Sequence, residues 1–381
     1  MPADPAPATG PRRPRPPGTW RIGQVAGVDV LVTSSWFLIA ALISVVLAPL
    51  VEETQPGLGA WKYVAGFAFA VLLYLSVLLH EASHAVVAQR FGHAVDSITL
   101  HFLGGATAIE GESRTPREEF WISVVGPITS LLVGLAVLPI WWITPDGLLA
   151  LALQGLIWAN VVVGALNLIP GLPLDGGRVL KSAVWGATGN AHRGTIAAGW
   201  GGRLTAVAIL LWPWVMESVT GIEPTFFDTL LAVIIALFLW TGASAAMRGA
   251  RIRRKLVTLV ARDLARRTLT VPHDLPVAEA VRRAQVAGAG GIVTTDPGGR
   301  PVGVVNEAAL VAVPEERRAW LPVSQVTRSL DEGLSLPVGI SGEELIRAIT
   351  RNPAHEYLLL EPDGRIYGVL ATADVDAAFS A

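Results

Sequence analysis

The 381-residue sequence contains no cysteine. Disulfides, thiolate nucleophiles and cysteine-ligated zinc or iron–sulfur sites are therefore excluded, and any metal must bind to histidine and carboxylate side chains. Charged residues are also scarce, at 16% against about 25% in soluble globular proteins. This shortage indicates a membrane protein. The net charge of −2 gives no basis for nucleic-acid binding.

The low charge is confined to the first two thirds of the chain. Residues 1–250 contain 28 Asp, Glu, Lys and Arg side chains, about 11%, whereas residues 251–381 contain 32, about 24%. Residues 1–18 are rich in Pro, Ala and Arg and lack the apolar run of a signal peptide, so we interpret residues 1–20 as a disordered basic leader. The sequence therefore predicts an apolar domain over residues 21–250 and a soluble part after it.

Six nearly uncharged stretches approach the ~20 apolar residues that a helix needs to cross a bilayer. The connections between them alternate in charge along the chain. One set is rich in Lys and Arg, and the other is rich in Asp and Glu. Basic loops stay in the cytoplasm, so both termini are expected there, and an even number of spans agrees with this orientation. We predict a multi-pass α-helical protein of the cell membrane. The six stretches are Val30–Val51, Tyr63–Gln89, Phe120–Thr144, Gly147–Leu174, Gly194–Met216 and Thr229–Met247.

The soluble part contains one pattern twice. Each copy has a β-type run, an amphipathic helix and two apolar runs joined by a turn signal, Asp296-Pro-Gly-Gly in the first copy and Pro362-Asp-Gly in the second. This repeat predicts a cytoplasmic tandem α/β module, with copies at residues 256–312 and 323–381. The matched segments are Thr268–Val271, Val277–Ala287, Gly291–Thr295 and Pro301–Val305 in the first copy, and Gly333–Pro337, Gly342–Ile349, Glu356–Leu360 and Ile366–Leu370 in the second.

The second apolar stretch contains the run His80-Glu-Ala-Ser-His84, an H-E-x-x-H motif. On a helix, His80 and His84 are i,i+4 neighbours, so both imidazoles can reach one metal ion, and Glu81 can address a water molecule at that metal. Ionisable side chains are costly inside a membrane span and mark functional sites there. The motif therefore predicts a metal centre rather than a buried polar knot that stabilises the helices.

A catalytic zinc site needs a third protein ligand, and the sequence offers several. The metzincin continuation is absent, because Val87 and Arg90 occupy the positions of its Gly and His. Glu110 and Glu112 lie in an expected loop. Asp175 follows an apolar stretch interrupted by prolines and glycines, where a carboxylate can lie at membrane depth if it lines a cavity. We favour Asp175 on this basis.

The paired motifs resemble those of the site-2 protease family of intramembrane zinc metalloproteases. H-E-x-x-H in one membrane helix is followed by Asn167-Leu-Ile-Pro-Gly-Leu-Pro-Leu-Asp-Gly at the end of a later one. Leu103-Gly104-Gly105 resembles part of the membrane-associated hairpin of that family, and Gly126-Pro-Ile-Thr-Ser130 resembles its third core helix. The resemblance covers roughly residues 20–250.

This resemblance implies an enzyme that cleaves a membrane protein substrate within or near the lipid bilayer, in regulated proteolysis. It implies one zinc ion per chain and places Asn167 near the scissile region of the substrate. The alternating segment Ser97–Ile109, with Gly104 and Gly105, is expected to offer a strand edge to the extended substrate. The implied zinc ligands and general base are His80, His84 and Asp175, with Glu81 as the base.

The tandem module resembles a pair of CBS domains, which accompany one branch of the site-2 proteases. CBS pairs that bind adenine nucleotides commonly use a Gly-apolar-apolar-Thr-x-x-Asp stretch. The second copy retains Asp374 and has Thr372 one residue after the usual Thr position, whereas the first copy, Gly303–Ala309, has neither residue. We therefore favour homo-oligomerisation or substrate docking over nucleotide binding, with Thr372 and Asp374 as the nucleotide-binding candidates.

Two other interpretations stay open from the sequence. A transporter or sensor regulated by the CBS pair would use the His/Glu cluster to move ions, but it would not need the second motif at residues 167–178. A different class of membrane metalloprotease would take Glu110 or Glu112 as its third ligand.

Overall fold

Six helices are long and apolar enough to cross a membrane, among the residues 18–102, 104–330 and 333–380 that the computed structural model describes. Each predicted stretch coincides with one of these helices over most of its length. The predicted leader, residues 1–20, is wrong at its end, because Thr19 and Trp20 pair in a β-strand. Residues 1–17 of the leader and the position of Leu103 lie outside the described residues. The six are α1 (Ser34–Thr54), α2 (Trp61–Arg90), α3 (Pro116–Ile143), α4 (Leu148–Asn167), α6 (Ala191–Thr220) and α7 (Phe226–Thr258), with a shorter α5 (Asp175–Thr188) before α6.

The fourth predicted stretch is wrong at its end. It is expected to run to Leu174 with Asp175 at the helix terminus, but α4 ends at Asn167 and Asp175 is the first residue of the separate helix α5. Pro170 and Pro173 lie in the connection, and neither can donate the backbone hydrogen bond that a continuing helix requires. Asp175 is therefore carried by a helix start rather than by a helix end.

A four-stranded sheet packs against α2. Its strand order is β1-β2-β3-β4, with β2 and β3 parallel and the other two pairs antiparallel. Val28 and Ile98 of the sheet contact Ala82 and Ala85 of α2, so the sheet lies against the helix that carries the H-E-x-x-H motif. The strands are β1 (Thr19–Val25), β2 (Val28–Thr33), β3 (Val95–His101) and β4 (Gly104–Ile109).

This sheet changes one prediction and agrees with another. Val30–Thr33 are predicted as the start of the first membrane span but belong to β2. Three of the four side chains are β-branched and suit a strand, and the backbone pairs with β1 and β3. The segment Ser97–Ile109, predicted to be extended, forms most of the β3–β4 hairpin. Because β4 is the last strand in the order, one of its backbone edges has no strand beside it among the described residues.

Helix α3 begins with strong local signals. Thr115 is its N-cap and accepts a hydrogen bond from the backbone N–H of Glu118 at 3.2 Å, and Pro116 follows at the first helical position. Glu118 and Glu119 occupy the first turn, where the helix dipole favours negative charge. The start of α3 is therefore set by its own sequence.

The chain divides into two units, Met1–Arg248 and Gly249–Ala381. The second unit contains the strand–helix–strand–strand pattern twice, in two sheets of order β5-β6-β7-β8 and β9-β10-β11. In each copy the first strand is parallel to the second and the second antiparallel to the third. The elements are β5 (Thr268–Pro272), α8 (Val277–Ala287), β6 (Gly291–Thr295), β7 (Pro301–Val305), α9 (Glu307–Val311), β8 (Thr327–Ser329), β9 (Ser335–Pro337), α10 (Gly342–Arg351), β10 (Glu356–Leu360), β11 (Ile366–Ala371) and α11 (Thr372–Ser380).

Each copy of the repeat has its own hydrophobic cluster. Val271, Val277 and Ile292 are buried in the first, and Leu345, Tyr357 and Leu370 in the second. The repeat predicted from the sequence is thus present as two α/β copies. The predicted domain bounds stay predictions.

Candidate metal centre

Helix α2 positions the three ionisable residues of the H-E-x-x-H motif. His80, Glu81 and His84 are all buried. His80 and His84 lie one turn apart on the same face, with their ring centroids 4.9 Å apart. The sheet covers Ala82 and Ala85 on the other side of the helix, which leaves the imidazoles directed at α3 and α5.

Three nitrogen and oxygen atoms meet at this point. The His80 Nε2 atom lies 3.2 Å from His84 Nε2 and 3.2 Å from Asp175 Oδ2, and the His84 Nε2 atom lies 3.3 Å from the same carboxylate oxygen. Zinc in proteins has ligands at about 2.0–2.1 Å in a tetrahedron, whose edges are then about 3.3 Å long. The triangle therefore has the size of one face of a zinc coordination tetrahedron.

Helix α3 holds both imidazoles by their other nitrogen. The Nδ1 atom of His80 is 2.9 Å from Ser130 Oγ, and Nδ1 of His84 is 2.5 Å from the carbonyl oxygen of Ile122. A carbonyl only accepts, so His84 donates from Nδ1, and in the neutral imidazole Nε2 then carries the lone pair. Partners of this kind fix the tautomer and ring orientation of metal-binding histidines.

Gly126 of α3 leaves the space that a metal needs. A Cβ atom at this position would contact the Nε2 atoms of both His80 and His84. The two atoms that would meet this Cβ are the same two that form the triangle with Asp175. The donor set, its dimensions and this gap together fit a zinc ion.

Glu81 lies beside the triangle without being part of it. The hydroxyl group of Thr107, on β4, donates to Glu81 Oε2 at 2.7 Å. A Cβ at Gly105, two residues earlier on the same strand, would contact the Glu81 side chain. The edge strand thus fixes the position of the carboxylate.

The connection that ends in Asp175 is packed tightly against α6. The backbone N–H of Leu172 donates to the carbonyl of Ala198 on α6 at 3.0 Å. Gly201 and Gly202 allow this approach, because a Cβ at either position would contact the carbonyl of Pro170 or Leu172. Small residues on α6 therefore set where α5 starts.

The profile of Peptidase family M50 matches residues 68–150 and 145–210, which include every residue of this site. Residues 68–210 of the chain therefore resemble peptidase family M50. This match, with the relatives described below, confirms the resemblance to site-2 proteases and the prediction of a metallopeptidase. Together with the His80, His84 and Asp175 group it supports zinc as the cofactor.

Two relatives of the chain are also candidate zinc metalloproteases. The protein sll0528 of Synechocystis sp., a candidate zinc metalloprotease, is 28% identical over 372 residues, which are 93% of this chain and 94% of the relative. Rip3 of Mycobacterium tuberculosis, also a candidate zinc metalloprotease, is 36% identical over 203 residues, 50% of this chain and 49% of Rip3. This chain therefore matches about half the length of Rip3.

Solved structures also resemble parts of the chain. The site-2 protease from Methanocaldococcus jannaschii is 24% identical and covers 60% of this chain and 95% of that one, with a TM-score of 0.41. Several CBS-domain structures cover 32–38% of the chain, with TM-scores of 0.26–0.29.

The alternatives considered from the sequence are not supported. A transporter or sensor without protease activity does not agree with the match of residues 68–210 to the M50 peptidase family. Among the described residues, the one group of three His or acidic side chains close enough to hold a metal contains Asp175 and neither Glu110 nor Glu112.

The structure does not place every predicted residue at the triangle. Asn167 is half-buried at the last position of α4, eight residues before Asp175. Gly104 begins β4 with a positive φ of 129°, which glycine adopts readily, and precedes Gly105. Their proposed contacts with substrate stay predictions.

The two nucleotide-binding candidates already have partners inside the second unit. Arg266 donates to both carboxylate oxygens of Asp374, from Nε at 2.6 Å and from a terminal nitrogen at 2.9 Å. Ion pairing with Asp374, and then with Glu307, raises the pKa of Arg266 above its ordinary value. The Thr372 hydroxyl donates to the carbonyl of Ala354 at 2.6 Å. A nucleotide would have to displace these contacts.

Sequence reasoning missed most of the residues that orient the site. Ser130 and Gly126 stand in the quoted resemblance but have no assigned role there, and Thr107 and the Ile122 carbonyl are not considered. A polar residue in an apolar helix is a usable signal for Ser130. No sequence signal identifies which backbone carbonyl accepts from His84.

Proposed function

We propose that the chain hydrolyses a peptide bond of a membrane protein, within or next to the bilayer, with His80, His84 and Asp175 as zinc ligands and Glu81 as the general base. The observation that carries the proposal is the triangle of donor atoms, with sides of 3.2–3.3 Å, next to a carboxylate that is not a ligand. Two of the ligands lie on a helix that is apolar and long enough to span a membrane. The peptide bond would be cut at that depth.

The three ligands supply the neutral and anionic donors that zinc prefers. His80 and His84 would bind zinc through Nε2, because their Nδ1 atoms face Ser130 and the Ile122 carbonyl. A bound zinc ion supplies Lewis acidity and makes water a nucleophile near neutral pH. These three protein ligands would match the number that holds the ion in other catalytic zinc sites.

Glu81 handles the proton. One of its oxygens, Oε2, accepts from Thr107, which prevents the carboxylate from rotating freely. A Cβ at Gly105 would contact this side chain, and Glu81 directly follows His80 on α2. Glu81 takes the proton of the attacking water and delivers it to the leaving amine, as a general base and then a general acid.

The edge of β4 is the proposed docking strand for the substrate. A helical peptide bond is hydrogen-bonded and sterically shielded, so the substrate must unwind before it is attacked. An extended segment paired with β4 would pass Gly104 and Gly105, and Gly105 is so close to Glu81 that a Cβ there would contact its side chain. Asn167 would contact the substrate from the end of α4.

The orientation and the partners are also proposals. Arg251, Arg253, Arg254 and Lys255 at the end of α7 favour the cytoplasm for the second unit, and the leader follows from the same charge rule. We place the CBS-like pair there as a homo-oligomerisation or substrate-docking module. Such cleavage would release a regulatory protein from the membrane.

Co-expression with candidate single-span membrane proteins tests the proposal. Glu81→Gln should accumulate uncut substrate with zinc still bound, because Glu81 acts on water and not on the metal. Asp175→Ala and His80→Ala should lower zinc occupancy as well as cleavage. Glu110→Gln is the matched control and should retain zinc.

Two results would contradict the assignments. Loss of zinc in Glu81→Gln would make Glu81 a ligand or a structural residue. Full zinc occupancy in Asp175→Ala would move the third ligand to another side chain.

A further inference from the structure

Glu119 is a buried carboxylate that the proposed reaction does not use. It lies in the first turn of α3 and its side chain is only 2% exposed. Its Oε1 atom accepts from Arg178 Nε at 3.0 Å and lies 3.2 Å from Lys181 Nζ. Both cations belong to α5, the helix that Asp175 begins.

A carboxylate buried to this degree needs partners. Water is excluded from Glu119, so the two cations replace its hydration, and charge-assisted hydrogen bonds of this kind are stronger than neutral ones. Removing one partner of such a group leaves an uncompensated buried charge. The contact between Glu119 and α5 is therefore specific in geometry and sensitive to substitution.

The cations follow Asp175 along one helix. Arg178 is three residues after Asp175 and Lys181 is six, so the first lies one turn further along the same side of α5. Rotation or sliding of α5 relative to α3 would stretch both contacts and would also move the Asp175 carboxylate. The two ion pairs therefore depend on the position of α5, which also determines where the Asp175 carboxylate lies in the triangle.

Helix α3 then contacts all three ligand-bearing groups. It orients His80 through Ser130, His84 through the carbonyl of Ile122, and α5 through Glu119. Steric contacts also restrain the start of α5, because a Cβ at Gly177 would contact the backbone of Gly171 and Leu172. Those contacts are with the connection that precedes Asp175, and the other contacts of that connection described above are with α6. Neither set joins it to the helices that hold the histidines.

We propose that Glu119 is a positioning residue, which fixes α5 on α3 so that the Asp175 carboxylate meets the two imidazoles. The proposal rests on the proposed function in one respect, that Asp175 is a zinc ligand. It extends that function by identifying α3 as the helix that positions all three ligands relative to one another.

The test compares two neighbouring acids of α3. Glu119→Gln keeps the shape of the side chain and removes the charge that faces α5. Glu118→Gln is the matched control, since Glu118 stands in the same turn but faces His93, at 3.4 Å, instead of α5. Zinc affinity of the full chain in detergent is measured by chelator competition, and the melting temperature of the zinc-free protein is measured in parallel.

We expect roughly 10-fold weaker zinc binding in Glu119→Gln, the lower end of the effect of losing partners around a metal site, and a change within about twofold in Glu118→Gln. With cobalt in place of zinc, the visible absorption of a tetrahedral site should weaken in Glu119→Gln alone. A merely structural role would lower the melting temperature without changing the cobalt spectrum.

Variants of the two cations that contact Glu119 keep the test decisive if Glu119→Gln does not fold. Arg178→Gln and Lys181→Gln should each weaken zinc binding, and together with Glu119→Gln, where it folds, their effects should be less than additive. Wild-type zinc affinity in the folded variants, or an equal loss in Glu118→Gln, would overturn the proposal.

Asp175→Asn separates this proposal from the proposed function. If Asp175→Asn loses zinc and Glu119→Gln does not, positioning by Glu119 is wrong while the ligand assignment stands. If Asp175→Asn keeps zinc at wild-type affinity, the ligand assignment itself is wrong.

Discussion

Gly126→Ala should destroy zinc binding by a single added methyl group. The Cβ would lie 2.6 Å from His80 Nε2 and would also contact His84 Nε2, whereas ordinary contacts of a Cβ begin at about 3.4 Å. The imidazole of His80 would have to retreat by about 0.8 Å, several times the ~0.2 Å by which zinc–ligand distances vary. The triangle that matches zinc would no longer exist.

The size of the effect follows from this displacement. Changes in the partners of metal ligands cost 10–100-fold in affinity, so moving two ligands directly should cost roughly 100-fold or more, about 2.7 kcal/mol at least. Zinc affinity is measured on protein purified in detergent, by competition with a chromophoric chelator. Cleavage of a co-expressed substrate should disappear in the same variant.

Gly134→Ala is the matched control on the same helix. Its Cβ would meet the nearest atom, the Ile157 carbonyl oxygen, at 3.4 Å, an ordinary contact. This variant should bind zinc like the wild type. Wild-type zinc affinity in folded Gly126→Ala would refute the reasoning, because the metal would then lie away from the two Nε2 atoms.

Three further predictions address the base, the orientation and the second unit. Gly105→Ala should push against Glu81 and lower cleavage about 100-fold or more with zinc retained, and loss of zinc would show that the strand supports the ligands instead. Because the chain contains no cysteine, single cysteines at Gln55 and Arg300 can be labelled cleanly. An impermeant reagent on intact cells should label position 55, whereas position 300 should be labelled only after lysis, and the reverse pattern would overturn the orientation. Calorimetry of the full chain with ATP should give at most one weak site, lost in Asp374→Ala, because Arg266 already occupies the Asp374 carboxylate; two tight sites would contradict this.

Short-range patterns in the sequence determined the histidine pair, the apolar helices and the repeat of the second unit. The i,i+4 spacing of His80 and His84 places two imidazoles on one face of any helix, whatever surrounds it. The apolar stretches predict their helices by length and composition, and the strands and turns of the repeat follow from period and turn residues. These features depend on neighbours within a few residues, so a single sequence contains them.

Tertiary structure decided the parts that depend on distant residues. Val30–Thr33 could extend a helix or a strand. They form β2 because they pair with β1 on one side and, for Val30–Val32, with β3 on the other side, more than 60 residues later. Asp175 and His80 are 95 residues apart, and their 3.2 Å contact exists because α5 is a separate helix packed on α3 and α6.

The same applies to the groups that orient the ligands. Ser130, the Ile122 carbonyl and Glu119 reach the site from α3, and nothing in their local sequence says which atoms they will face. Such contacts are set by how helices approach one another, which depends on small residues such as Gly126 and on the fit of whole faces. The sequence therefore indicated the candidate ligands, and packing decided the geometry that brings their donor atoms within 3.2–3.3 Å of one another.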